Sequence, residues 1–258
     1  TTCHDPMPTK RVIIICRVAT FGLLFECGRT VAIIVGSKNF TEQIILGEIA
    51  AQQIERISHQ RVQRRLDLGG TMLAHEALVN NQIDLYPEYT GTALTAVLKQ
   101  PLNADPEAVY RTVAQLYQQR YHLTWMPPLG FNDTFAMVVR QEDARQLPEA
   151  VLSAALSRTW RLGVGYEFLT RPDGLTRLNS RYHLRWHGTA RTMDLGLLYR
   201  ALDQNEIDMA AANSTDGLLA SKRYTILNDD RHAFPPYQAC YVVRSDVISR
   251  QPAVARAQ

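Results

Sequence analysis

The chain has 258 residues, 46% hydrophobic and 21% charged, a globular composition that excludes a disordered chain and a multispan membrane protein. Basic and acidic residues nearly balance, 28 against 25 for a net charge of +3, with no run of like charge, so no nucleic-acid-binding face is expected. The length suffices for two lobes of about 100 residues each.

The first thirty residues read as a leader. Lys10 and Arg11 precede an apolar run from Val12 to Phe25, and Cys27 lies just beyond. A charged start, a short apolar core and a cysteine fit a secretory or lipoprotein signal. The expectation is export to the periplasm or the outer face of the cytoplasmic membrane, with lipidation at Cys27 as one form of it. Arg17 interrupts the run, and Glu26 stands where a small residue is expected before a lipidated cysteine. The run is short for a membrane span, which needs about 20 apolar residues. Cys3, Cys16 and Cys27 all fall in this segment. Cys240 is therefore read as a buried free thiol, and without CxxC spacing no zinc or redox site is expected.

The folded body begins with Val31 to Gly36, read as a buried strand ending in glycine. Asn39 is placed to cap the next helix, with Glu42 completing a capping box, and Leu46, Ala50, Ile54 and Ile57 share one helical stripe. Val62 to Leu68 alternates as a strand, Gly69-Gly70-Thr71 breaks it, and a helix follows from Met72 to Asn80. Ile83-Asp84-Leu85 is a short strand leading into the segment Tyr86 to Thr92, read as a turn. Alternating strands and helices predict a mostly parallel sheet covered by helices.

The same order recurs. Trp160 to Val164 reads as a strand ending at Gly165, as the first ends at Gly36, and Phe168 follows as Phe40 does. Gly188-Thr189 precedes a helix through Leu202, as Gly70-Thr71 precedes the earlier one. Ala77 to Asp84 echoes Ala201 to Asp208, a register that aligns Tyr89 with Asn213. Two similar lobes would bring the carboxyl ends of their strands to one cleft, with crossovers near Gly130-Phe131-Asn132 and Phe234-Pro235-Pro236.

Enzyme motifs are absent: no HExxH, GxSxG, phosphate loop or GxGxxG after a strand. The seven histidines are scattered, and none stands at metal-ligand spacing from another His or Cys. Neither catalysis nor a cofactor is expected. What remains at the expected strand ends is aromatic and charged. Tyr86, Tyr89, Phe135 and Tyr237 could hold a quaternary ammonium, which has no N–H to donate and is held by π-faces, contact and negative potential. Lys38, Thr92 and Arg171 could hold a carboxylate. On residue types alone this is a cleft for a small zwitterion.

Gly36-Ser37-Lys38-Asn39-Phe40-Thr41-Glu42-Gln43 resembles the opening signature of the glycine betaine/choline substrate-binding proteins of ABC importers. Leu68-Gly69-Gly70-Thr71, Ile83 to Thr92, Leu129 to Thr134, Ser214-Thr215-Asp216-Gly217 and Phe234-Pro235-Pro236-Tyr237 continue it in order, from about Val31 to Asp246. The resemblance implies an α/β, two-lobed periplasmic-binding-protein fold of type II, with a mixed, mostly parallel sheet in each lobe. It divides the chain into a leader (1–30), lobe 1 (31–131 plus 235–258) and lobe 2 (132–234). It also implies a monomer that delivers a quaternary-ammonium osmolyte to a membrane permease. An aromatic cage is carried onto Tyr89, Phe135, Asn213 and Tyr237, with a carbonyl of Asp133 beside it, and carboxylate holders onto Lys38, Thr92 and Arg171. Phe135 lacks the hydroxyl usual there, and Asn213 stands where a tyrosine is usual. Losing one ring face costs about 0.5–2 kcal/mol, which leaves carnitine, ergothioneine or another betaine as alternatives to glycine betaine or choline. A ligand-sensing module on the same fold is the other alternative. The resemblance further implies helices beyond the strand at Cys240 to Val243, so lobe 1 is expected to be cut short at its C-terminal end.

Overall fold

The computed structural model describes residues 1–2 and 32–256; the leader, with Cys27, lies outside the described residues. In chain order the first half contains β1 (Ile34–Gly36), α1 (Thr41–Ser58), β2 (Gln63–Arg65), α2 (Thr71–Val79) and β3 (Leu85–Tyr89). A helical turn at Thr90–Thr92, a helix at Pro106–Tyr121 and β4 (Leu123–Trp125) follow. Then come β5 (Phe135–Arg140), β6 (Thr159–Trp160), β7 (Leu162–Val164), β8 (Arg185–Trp186), β9 (Arg191–Thr192), β10 (Met209–Asn213), β11 (Tyr224–Leu227) and β12 (Ala239–Arg244). Short helices at Ser245–Arg250 and Pro252–Arg256 close the described chain. No helix among the described residues is long and apolar enough to cross a membrane.

The strands form two five-stranded sheets, ordered β2-β1-β3-β12-β4 and β11-β5-β10-β7-β9, and β6 pairs with β8 in a small third sheet. Read from opposite ends, the two large sheets have one plan. β2-β1-β3 and β9-β7-β10 are parallel, and β12 and β5 then run antiparallel to their neighbours on both sides. The chain passes from one sheet to the other between β4 and β5 and returns between β11 and β12. An isolated antiparallel bridge, Asn132 with Gln238, ties the two passages together.

The echo between residues 77–84 and 201–208 is a shared device. Asn81 and Asn205 both take the left-handed conformation. The amides of Gln82 and Glu206 donate back to the carbonyls of Ala77 and Ala201. Each following aspartate then binds the start of the middle strand of the parallel trio, β1 or β7: Asp84 accepts from the Ile34 amide at 2.8 Å and Asp208 from the Arg161 amide at 2.9 Å. Arginines at the ends of β12 and β5, Arg244 and Arg140, reach the same two carboxylates. A partly buried carboxylate with both partners satisfied fixes where helix, strand and antiparallel neighbour meet.

This pairing corrects the expected repeat register. Ile34 matches Arg161, so Gly36 matches Gly163 and not Gly165. Both glycines are small for one reason: a Cβ at Gly36 would strike the Ile83 Cδ1 methyl, and one at Gly163 the Ile207 Cδ1 methyl. Gly188-Thr189 does not open a helix as expected; β9 intervenes, and the helix Leu195–Asp203 starts at Asp194, whose side chain accepts from the Gly196 amide. The strand expected across Trp160 to Val164 divides at Arg161, with β6 and β7 in different sheets. Asn39 does not cap α1. The cap position falls on extended Phe40, which has no capping side chain, and the Glu42 carboxylate instead accepts from the Tyr89 hydroxyl.

The segment expected to be a turn, Tyr86 to Tyr89, is the fully buried body of β3, and the turn comes only at Thr90. A proline inside a central strand is tolerated at Pro87 because β1 has already ended. Val35 lies opposite Leu85, so Pro87 falls beside Ser37, outside the ladder. Strand alternation turns Tyr86 into the hydrophobic core with Leu78, Val113 and Val242.

Gly163→Ala is expected to destabilise the protein by about 1–3 kcal/mol through overpacking against Ile207. In the Ile207→Val background, which removes the opposing methyl, the loss should shrink by at least half. Urea denaturation of the four variants followed by circular dichroism checks this.

Candidate functional site

A cleft of about 620 Å³ opens between the carboxyl ends of the two sheets, a volume suited to a small organic ligand. Lys38, Tyr89, Thr92, Asp133, Phe135, Arg171, Asn213 and Tyr237 all line it. Tyr86 does not: its hydroxyl donates to Glu88 at 3.0 Å inside the core.

The loop after β1 brings Lys38 to the cleft floor. It is held by the Ser37 carbonyl, which accepts from the Leu68 amide, and by the Asn39 amide, which donates to the Gly69 carbonyl. Lys38 is 3% exposed and its Nζ lies 2.6 Å from Oε1 of Glu88, which is fully buried. Glu88 also accepts from the Tyr89 amide at 2.7 Å. The ammonium therefore sits 4.8 Å from the centre of the Tyr89 ring, with a weaker contact to Thr71 Oγ1 at 3.4 Å. Of its three N–H bonds, one remains for an occupant of the cleft.

Arg171 is the counterpart from the other sheet. It forms a bidentate pair with Asp173, Nε to Oδ1 at 3.0 Å and Nη2 to Oδ2 at 2.6 Å. Its guanidinium lies 4.8 Å from the centre of Phe135. The Tyr237 hydroxyl donates to the same Asp173 at 2.6 Å. Burial pushes the Asp173 carboxyl up, but the guanidinium and the hydrogen bonds outweigh it and hold the group below the ordinary range. Both expected carboxylate-holding cations are thus already neutralised by protein carboxylates.

Aromatic rings form the walls. Phe40 stacks on Tyr89 at 6.2 Å, and Phe135 meets Phe168 and Tyr237 edge-on at 4.9 and 5.7 Å. Phe40 and Phe168 were not among the expected site residues. Their position a few residues past β1 and β7 is the signal that marks them.

Glu167 was also missed. It lies four residues before Arg171, and its carboxylate accepts from the amide and hydroxyl of Thr71 at the start of α2, on the other sheet. Burial works against its charge, but Lys38, Arg171 and the Thr71 hydrogen bonds hold its pKa low. A carboxylate suits that position, where unpaired helix N–H groups and the helix dipole converge.

Asp133 sits in the cleft lining with its carboxylate buried. Burial first, and then the nearby charge of Glu42, raise its pKa to about 7. Ser214 Oγ and the Thr215 amide, both at 3.4 Å, offer weak hydrogen bonds, and Asp216 adds further repulsion.

The matching family model is the substrate-binding domain of ABC-type glycine betaine transport systems, and the match covers residues 31–257. A glycine-betaine-binding protein of Pseudomonas aeruginosa is 34% identical over 233 residues, covering 86% of this chain and 74% of that protein. An ergothioneine transport permease/ergothioneine binding protein of Helicobacter pylori is 32% identical over 223 residues; the match takes in 85% of this chain but only 40% of that longer protein. A crystal structure of a glycine betaine/carnitine/choline ABC transporter superposes with a TM-score of 0.71 at 28% identity, over 87% of this chain and 84% of its own.

Because the folded pKa of Asp133 exceeds its unfolded value, the native state binds more protons between about pH 4 and 7. Stability therefore falls as pH rises through that window. Asp133→Asn should flatten this dependence and be more stable than the parent by up to about 4 kcal/mol at pH 8, with no gain at pH 4. Urea midpoints at the two pH values decide it, and equal offsets at both would remove the assignment. The repeated sheets, the aromatic cleft between them and a match along almost the whole folded body establish that this chain belongs to the family of substrate-binding domains of ABC-type glycine betaine transport systems.

Proposed function

We propose that the chain is an extracytoplasmic binding protein that captures a quaternary-ammonium osmolyte and hands it to a membrane permease. The observation that carries the reading is the set of rings, Phe40, Tyr89, Phe135, Phe168 and Tyr237, gathered around one cleft. A trimethylammonium group offers no N–H, so oriented π-faces and negative potential are the means of binding it out of water. Glycine betaine, choline and carnitine are the ligand class, supported by the names of the relatives and the neighbouring structure. Ergothioneine stays as the second reading because it also carries a trimethylammonium group and names a relative of 32% identity.

In this reading Tyr89, Phe135 and Tyr237 bear on the ammonium, Asn213 and Asp133 border it, and Thr92 with the remaining N–H of Lys38 contacts the polar end. Arg171 acts chiefly by orienting Phe135 and Tyr237 through Asp173. The lobes are taken to divide at 131/132 and 234/235, and the protein to act as a monomer without catalysis. The relative from Helicobacter pylori, a combined permease and binding protein, supports the permease as partner.

Titration calorimetry of the purified protein against glycine betaine, choline, carnitine and ergothioneine is the test. At least one should bind with a Kd below a millimolar, and Tyr89→Ala should abolish that binding while leaving the circular dichroism unchanged. Lys38→Ala should weaken carboxylate ligands more than choline. No binding of any of the four by a folded sample would refute the reading.

A further inference from the structure

The shared plan of the two sheets places two residue pairs in equivalent positions at the cleft. The backbone clamps equate Ile34 with Arg161 and Asp84 with Asp208, so Asn39, five residues past Ile34, corresponds to Tyr166, five past Arg161. By the same register Tyr89, five residues past Asp84, corresponds to Asn213, five past Asp208. All four residues line the cleft. The pair of one aromatic and one asparagine is thus kept in both halves, with the two residue types exchanged between the strands.

The exchanged tyrosine differs from the other cleft rings in one respect. Tyr89 and Tyr237 are 3% and 2% exposed, whereas Tyr166 is 71% exposed. Among the described residues its ring pairs with none of the cleft aromatics. It begins the short helix Tyr166–Thr170 directly after Gly165, and an exposed side chain there changes rotamer within nanoseconds. An exposed ring at the mouth of an aromatic cleft gains apolar burial and a π-contact by turning onto a cationic occupant. Asn213, at the end of β10, lines the same cleft and has no π-face to offer.

We propose that Tyr166 is the movable aromatic wall of this site, closing over the quaternary ammonium on the side where Asn213 supplies no ring. The proposal rests on the quaternary-ammonium reading above, and it makes Tyr166 a residue that sets affinity and selectivity for the cation.

The experiment is titration calorimetry of choline and glycine betaine into the parent, Tyr166→Ala, Tyr166→Phe, Asn213→Tyr and the double variant Asn213→Tyr/Tyr166→Ala. Tyr166→Ala should weaken binding by about 3- to 30-fold, the range of a cation–π contact. Tyr166→Phe should stay within about twofold, because the ring and not the hydroxyl does the binding. In the Asn213→Tyr background the loss on removing Tyr166 should fall below about twofold, since the fixed ring replaces the movable one. 3-Fluorotyrosine at position 166 should shift its 19F resonance on saturation with ligand. An unchanged affinity in Tyr166→Ala, a loss as large in Tyr166→Phe, an undiminished loss in the Asn213→Tyr background, or a ligand-insensitive resonance would overturn the proposal. A parent protein that binds neither probe would overturn this proposal, while the ligand reading itself falls only if carnitine and ergothioneine also fail to bind.

Discussion

Glu88 is a carboxylate buried in the middle of a sheet, and the cleft depends on how it is satisfied. One of its oxygens takes the Lys38 ammonium and the Tyr89 amide, and the other takes the Tyr86 hydroxyl. A charge taken out of water must be paired and hydrogen-bonded or it destabilises the fold. Satisfying Glu88 therefore fixes three things at once: the loop that carries Lys38, the strand that presents Tyr89, and the ammonium lying against the Tyr89 ring. Asp173 does the same work opposite, binding Arg171 and the Tyr237 hydroxyl and so setting the guanidinium against Phe135. The cleft thus presents oriented rings backed by the neutralised ion pairs of Lys38 and Arg171.

The two halves reach this arrangement through one construction. Asp84 and Asp208 clamp β1 and β7, the middle strands of the two parallel trios, to the strands that enter the cleft, and Gly36 and Gly163 leave the room that Ile83 and Ile207 need. Ligand groups then come from the strand ends and the loops after them, where side chains are free of ladder constraints. Glu167 adds a contact between the halves by placing a carboxylate on the start of α2, an arrangement that links the relative position of the two sheets to the charge of one side chain.

Much of this was legible in the residues. Strand and helix order, the internal echo at Asp84 and Asp208, and the positions of Tyr89, Phe135, Arg171 and Tyr237 follow from periodicity, turn chemistry and the resemblance of ordered motifs. Three features misled. Tyr-Pro reads as a turn, yet Pro87 lies in a strand because its neighbour β1 stops one residue short. Asn39 reads as a cap, yet Glu42, needed to complete the capping box, is held by Tyr89. Glycine at a strand end suggested that Gly36 equals Gly165, whereas the backbone clamps equate it with Gly163.

The sequence by itself determined the fold class, the family and most of the residues that gather at the cleft, because these depend on local periodicity and on motifs in order along the chain. Only the tertiary structure decided which of those residues are free to act. Lys38 and Arg171 were legible as cations but not as neutralised ones, since their partners Glu88 and Asp173 are fixed by burial and three-dimensional approach. Tyr86 and Tyr89 are three residues apart and chemically alike, yet strand alternation sends one into the core and the other into the cleft.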